Sequence, residues 1–245
     1  MSFQDNQDPA KYLTEPQSKP DTVLGQPYGN PTGIFDAMSP SWWINEAIKI
    51  FIGKDILGTA SEFFAGDWDK VYQYGDALSK AGDAALAVGI NISWGNHQAD
   101  QSWDGNAADA AAAYFAKVSA AHSDLNNVLK QLSSQYEQAA ASTWRAADTV
   151  GGLIRIVLDR LFWAGITAGA GTLLSGGTAT AAGYGAAALM IKDAVATWEK
   201  ASKIMAVAGT TLNGIVAEMQ GLTGNAGALE RLPLPETGYK HHSQT

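Results

Sequence analysis

Cysteine is absent from the 245 residues, which excludes disulfides and every thiolate-based metal or nucleophile site. Basic runs are missing too. Lys and Arg total 16 against 24 Asp and Glu, a formal charge of −8, and Lys117, Lys130, Arg145 and Arg155 stand far apart. A surface that tracks phosphates needs a basic stripe, so no nucleic-acid partner is expected. The opening MSFQDNQDPAKYLTEPQSKP has no basic start followed by an apolar stretch, the pattern of a secretory signal. Any export is therefore expected to use a route that reads no such signal. There is no Walker A sequence, GxGxxG, GxSxG or HExxH, so neither catalytic activity nor a cofactor is expected.

What is present is apolar and small. Hydrophobic residues make up 46 % of the chain, much of it alanine, which suits helices packed closely side by side better than β-sheets. The expected fold is all-α: a long antiparallel helical hairpin extended into a bundle. Residues 1–38 carry five prolines among polar residues and read as a disordered arm. Residues 39–223 read as one helical domain and 224–245 as a flexible tail. Within the domain, Ser39-Pro40 starts a short helix that ends at Gly53. The hairpin occupies about 66–150, and a second helical pair about 153–222, with its last helix from about Ala187 to Gly221.

In the first hairpin helix, Gly75, Gly82 and Gly89 recur every seven residues and form one slowly drifting stripe. Such a stripe gives either a smooth face for another helix or three weak positions, each costing about 1 kcal/mol against alanine. The alternation in Ile90-Asn91-Ile92-Ser93-Trp94 competes with the helical pattern there. The second hairpin helix is capped by Asn106, with Asp109 reaching back. Phe115, Val118, Leu125 and Leu132 then make its packing seam at a mean step near 3.5 residues. Gly151-Gly152 is expected to break or kink this helix.

The stretch from Leu161 to Ile191 has no charged residue, but its apolar core falls short of the ~20 residues a membrane span needs. It reads as a buried helical bend, with a membrane-inserting segment as the alternative. His97, Asp100 and Asp104 cluster near the hairpin turn, but two ligands on one helix face do not make a metal site. His241 and His242 lie in the tail. Leu234-Pro235-Glu236-Thr237-Gly238 matches the LPxTG sequence that sortases cleave, yet it lacks the apolar span and basic tail of a wall-sorting signal.

The two hairpin helices are joined at Trp103-Asp104-Gly105. Glycine takes φ > 0 where a chain reverses, and tryptophan offers a large ring to cover the hairpin end. With eight tryptophans and 26 glycines, about one Trp-x-Gly is expected by chance, and Trp163-Ala164-Gly165 is a second copy. It is the placement between two helical patterns that resembles the WXG100 (ESX) superfamily of helical hairpins exported by type VII secretion, in particular its longer actinobacterial members. The likeness covers Ser39 to about Val150. It implies a non-catalytic type VII secretion substrate or substrate partner that acts by helix-to-helix association. Its partners would be another helical-hairpin protein or a second copy, and the secretion ATPase machinery. Its location would be secreted or at the cell surface. The family completes its export feature with Tyr-x-x-x-Asp/Glu after the second helix. Here the one match, Tyr72 to Asp76, lies in the first helix, so either a partner chain would supply the signal or this chain would not itself be exported. The alternatives are a membrane-inserting protein using 161–191 and a cytoplasmic adaptor or immunity protein.

Overall fold

The computed structural model describes residues 4–18, 49, 53, 55–174 and 181–226. The fold is all-α, a helical bundle: α1 (Ile56–Phe64), α2 (Trp68–Asp100), α3 (Asn106–Leu174) and α4 (Ala181–Ala226), the last three long, with no strand among the described residues. The described residues divide into two compact units, one containing 4–18, 71–138 and 215–226 and the other containing 55–70, 139–174 and 181–214.

In the second unit the core combines large apolar side chains with alanines. Ile56, Leu57, Ala60 and Phe64 of α1 meet Ala147, Val150, Ile154, Val157 and Leu161 of α3, and Ala194, Trp198, Ala201 and Met205 of α4. Along α3 and α4 those positions step by three and four, the spacing that keeps one stripe facing a neighbour. Asp55 starts α1 by accepting the Gly58 N–H at 2.8 Å, a standard capping bond. Asp67 does the same before α2, accepting the Lys70 N–H at 3.2 Å and pairing with its ammonium at 3.1 Å. The Lys70 side chain, and then its N–H, hold that carboxyl below the usual carboxylate range.

Gly151-Gly152 does not interrupt α3, which runs unbroken for 69 residues. The two glycines cost about 2 kcal/mol in helix propensity. Val150, Ile154 and Val157, each 0 % exposed on either side of them, offset that by burying several apolar side chains. The helix therefore continues where local propensity alone would end it. The helix expected over 39–53 lies outside the described residues apart from its end. There Gly53 has φ +72° and its N–H donates to the Lys49 carbonyl at 2.8 Å.

The first unit is built on small residues. An added Cβ at Gly75 would lie 2.9 Å from the Ser133 carbonyl oxygen, at Gly82 3.2 Å from Asn126 Nδ2, and at Gly89 3.1 Å from the Ser119 carbonyl oxygen. Residue numbers rise by sevens along α2 and fall by sevens along α3, so these two segments run in opposite directions within this unit. The glycine stripe is thus a close-approach surface. Ser119 reaches across it, donating its hydroxyl to the Gly89 carbonyl at 2.8 Å. To one side Lys130 bonds Asp83 and Ser79, each at 2.8 Å, and to another Tyr74 and Tyr136 pack edge to face at 4.8 Å.

This changes the expected seam. Of Phe115, Val118, Leu125 and Leu132, only Leu132 is buried; Val118 and Leu125 are half-buried and Phe115 is 44 % exposed. Ser119, Asn126 and Ser133 face the glycines, with the Cβ atoms of His122, Leu129 and Tyr136 close beside them.

Residues 4–18 also depart from the expected disordered arm. On either side of a short 3-10 turn at Pro9–Tyr12 they lie along α2, held mainly through their backbone. Asn91 accepts the Gln7 N–H at 2.8 Å and donates to the Gln7 carbonyl at 2.6 Å. Lys80 donates to the Glu15 carbonyl at 2.5 Å and Asp76 accepts the Gln17 N–H at 2.8 Å. Asn91 is 6 % exposed, so its amide needs these partners. The remaining arm residues, 19–38, lie outside the described set, as do tail residues 227–245; residues 224–226 of the expected tail extend α4.

Asn91→Ala is therefore expected to release the arm while leaving α2 folded, at a cost of about 1–2 kcal/mol for the two lost bonds. Hydrogen exchange would show faster amides over residues 4–18 alone. Unchanged protection at Gln7 would contradict this account of the arm.

Candidate functional site

The reversal between α2 and α3 brings together two of the residues that the sequence singles out, Trp103 and Phe115. Gly105 has φ +99°, a conformation that a side chain disfavours, and an added Cβ there would meet nothing within 4 Å. The constraint on Gly105 is thus conformational and not steric crowding. Its carbonyl accepts the Asp109 N–H at 3.0 Å, which makes Gly105 the residue that opens α3. Asn106 is the first residue of that helix and not its cap. On the other side of the turn the Ser102 N–H closes α2 on the Ala99 carbonyl at 3.1 Å.

Trp103 does not bury its ring under the hairpin end. It is 48 % exposed and forms one wall of a cavity of about 240 Å³ whose other walls include Ile92, Gly95, Ala99, Ala108 and Phe115. Small residues of both helices line it, Gly95 and Ala99 from α2 and Ala108, Ala111 and Ala112 from α3. Asn96 spans the gap, its amide donating to the Ala112 carbonyl at 3.1 Å. The sequence marks Trp103 and Phe115 separately, one as turn and one as seam; the structure puts them on the same apolar pocket. Ala99 and Ala108 were not foreseen. Their signal is the run of small residues on both sides of Trp103-Asp104-Gly105.

The second Trp-x-Gly copy behaves differently. Trp163, Ala164 and Gly165 lie inside α3, with Ala164 buried and Trp163 57 % exposed. No reversal occurs there. Tyr72 and Asp76 sit on α2 away from any turn. Tyr72 is half-buried, and the Asp76 carboxylate is taken up by the Gln17 N–H and, at 2.7 Å, by the Lys80 ammonium.

No group of three or more His, Asp or Glu side chains able to hold a metal ion occurs among the described residues. His97 instead stands 3.4 Å from the Gln101 amide and beside the Trp94 ring. Among the described residues no helix is long and apolar enough to cross a membrane. His241, His242 and the Leu234–Gly238 sequence lie outside the described residues. Set against known proteins, the chain matches no family model, no curated protein and no solved structure.

Proposed function

We propose that this chain is a non-catalytic association protein that works by helix-to-helix contact and travels the type VII secretion route as a substrate or as the partner of one. The observation that carries this reading is the α2–α3 turn: Gly105 in a positive-φ conformation beside a half-exposed Trp103. A large aromatic left half-exposed at the junction of two long helices is available to a partner, and aromatic residues of this kind dominate protein interfaces. The resemblance to the WXG100 superfamily rests on the same three residues and supplies the secretion route. The partner is then another helical-hairpin protein, a second copy of this chain, or the ATPase machinery that drives export. Because the Asp76 carboxylate is engaged within the chain, an export signal brought by a companion protein fits better than one on this chain.

Export is the test. The protein is expected in culture supernatant, with its N-terminus untrimmed, only when the type VII ATPase is active. Secretion that persists without that ATPase, or a mature N-terminus cut by signal peptidase, would remove the reading. Retention in the cytosol under every condition would favour an adaptor or immunity role.

A further inference from the structure

The pocket at the α2–α3 turn has a charge pattern as distinctive as its shape. No Lys or Arg occurs between Lys80 and Lys117, whereas Asp100, Asp104 and Asp109 fall within ten residues. All three are exposed, and none takes part in an ion pair among the described residues. Asp100 lines the pocket, while Asp104 and Asp109 directly follow Trp103 and Ala108, which also line it. Asp109 belongs in the first turn of α3, where a carboxylate is favoured by the helix dipole. Asp100 is the last residue of α2, the end at which the dipole opposes a negative charge. Among the described residues no ion pair relieves that unfavourable placement.

We propose that this pocket docks a cationic helical segment of another protein, seating one large apolar side chain between Trp103 and Phe115 while flanking Lys or Arg side chains meet Asp100, Asp104 and Asp109. The volume, about 240 Å³, is below the ~300–1,000 Å³ of small-molecule sites and suits a single anchoring side chain of the kind an amphipathic helix inserts into a groove. Charge selects the occupant. A second copy would bring a like-charged turn against this one, and an anionic membrane surface would be repelled in the same way. A cationic partner is steered toward the site and gains its register from the three carboxylates. The inference rests on the association reading above and specifies the partner's chemistry.

The test uses the full chain and fluorescein-labelled synthetic helical peptides that share one apolar face but carry either Lys or Glu flanks. Anisotropy should show saturable binding of the Lys peptide only. Raising the salt from about 50 to about 500 mM should weaken it roughly tenfold. The combined Asp100→Asn, Asp104→Asn and Asp109→Asn variant should weaken it by about the same factor, each rim charge contributing a few-fold. Ala99→Phe fills the pocket from an exposed helix position, so it should abolish binding while circular dichroism stays unchanged. Trp103→Ala should do likewise.

Equal binding of both peptides overturns the proposal, as does an unaffected Ala99→Phe variant. Two other results overturn it in favour of a different occupant: self-association lost on Trp103→Ala, or capture by phosphatidylglycerol vesicles that Ala99→Phe prevents. If the chain is exported through the type VII ATPase but ignores the Lys peptide, the charge assignment alone falls. If the Lys peptide binds but export does not need that ATPase, the secretion reading falls and the docking site stands.

Discussion

Gly75→Leu and Gly89→Leu are each expected to lower stability by about 3 kcal/mol, and together to separate the α2 and α3 segments of the first unit. A Cβ at Gly75 would sit 2.9 Å from the Ser133 carbonyl oxygen, and one at Gly89 would sit 3.1 Å from that of Ser119 and 2.9 Å from His122 Cβ. These neighbours are backbone or the stem of a side chain, so relief requires the helices to move apart, and overpacking of this kind typically costs 1–3 kcal/mol or more. The sign sets this apart from ordinary helix propensity. In a helix with open space around it, glycine replaced by alanine gains about 1 kcal/mol. Gly152, whose added Cβ meets nothing within 4 Å, is the internal control, and Gly152→Ala should melt at higher urea than the wild type. If Gly75→Ala were also stabilising, the stripe would be a set of tolerated weak positions and not a contact surface. Urea melts of the variants decide between the two.

That outcome bears on how much of the molecule can be read from its sequence. The helices α2, α3 and α4 and the seven-residue glycine stripe are visible as periodicity, because each repeats one physical requirement many times, and the turn at Trp103-Asp104-Gly105 is visible as the break between two such patterns. The seam of α3 is read one position off. A rule that looks for large apolar residues selects Val118 and Leu125, whereas the actual contact line of Ser119, Asn126 and Ser133 is set by the glycines of the opposite helix, information that α3 does not itself contain. The continuity through Gly151-Gly152 was missed for a related reason: the residues that hold it, among them Phe64 and Trp198, are distant in sequence. Helix α1 is only nine residues, too short to show a period, and its four buried residues have meaning only against α3 and α4. The docking of residues 4–18 left one trace, an asparagine at position 91 in the middle of a helix, where such a residue is unfavourable unless its amide has partners. At the candidate site the sequence yields Trp103 and Gly105 but not the pocket, since a cavity between alanines and glycines is a property of spacing between helices and of no single residue.

The remaining prediction with a large effect concerns that unforeseen helix. Phe64→Ala is expected to destabilise the second unit by about 3–5 kcal/mol, the usual cost of truncating a fully buried phenylalanine. Phe64 is 0 % exposed within a core that joins α1 to α3 and α4, and its ring meets that of Phe63 edge to face at 4.8 Å. Its carbonyl also accepts the Trp68 indole N–H at 3.1 Å, so the loss of packing would disturb the entry into α2. Domains are stable by only about 5–15 kcal/mol, so such a loss brings the unit close to unfolding at physiological temperature. Trp103→Ala is the matched comparison: a larger ring is removed, but it is 48 % exposed, and the expected cost is about 1 kcal/mol. Hydrogen exchange should then show protection falling over 147–161 and 194–205 in Phe64→Ala, and unchanged there in Trp103→Ala. A Phe64→Ala protein that melts within 1 kcal/mol of the wild type would mean that α1 is not part of the core, and that α3 and α4 hold the unit without it.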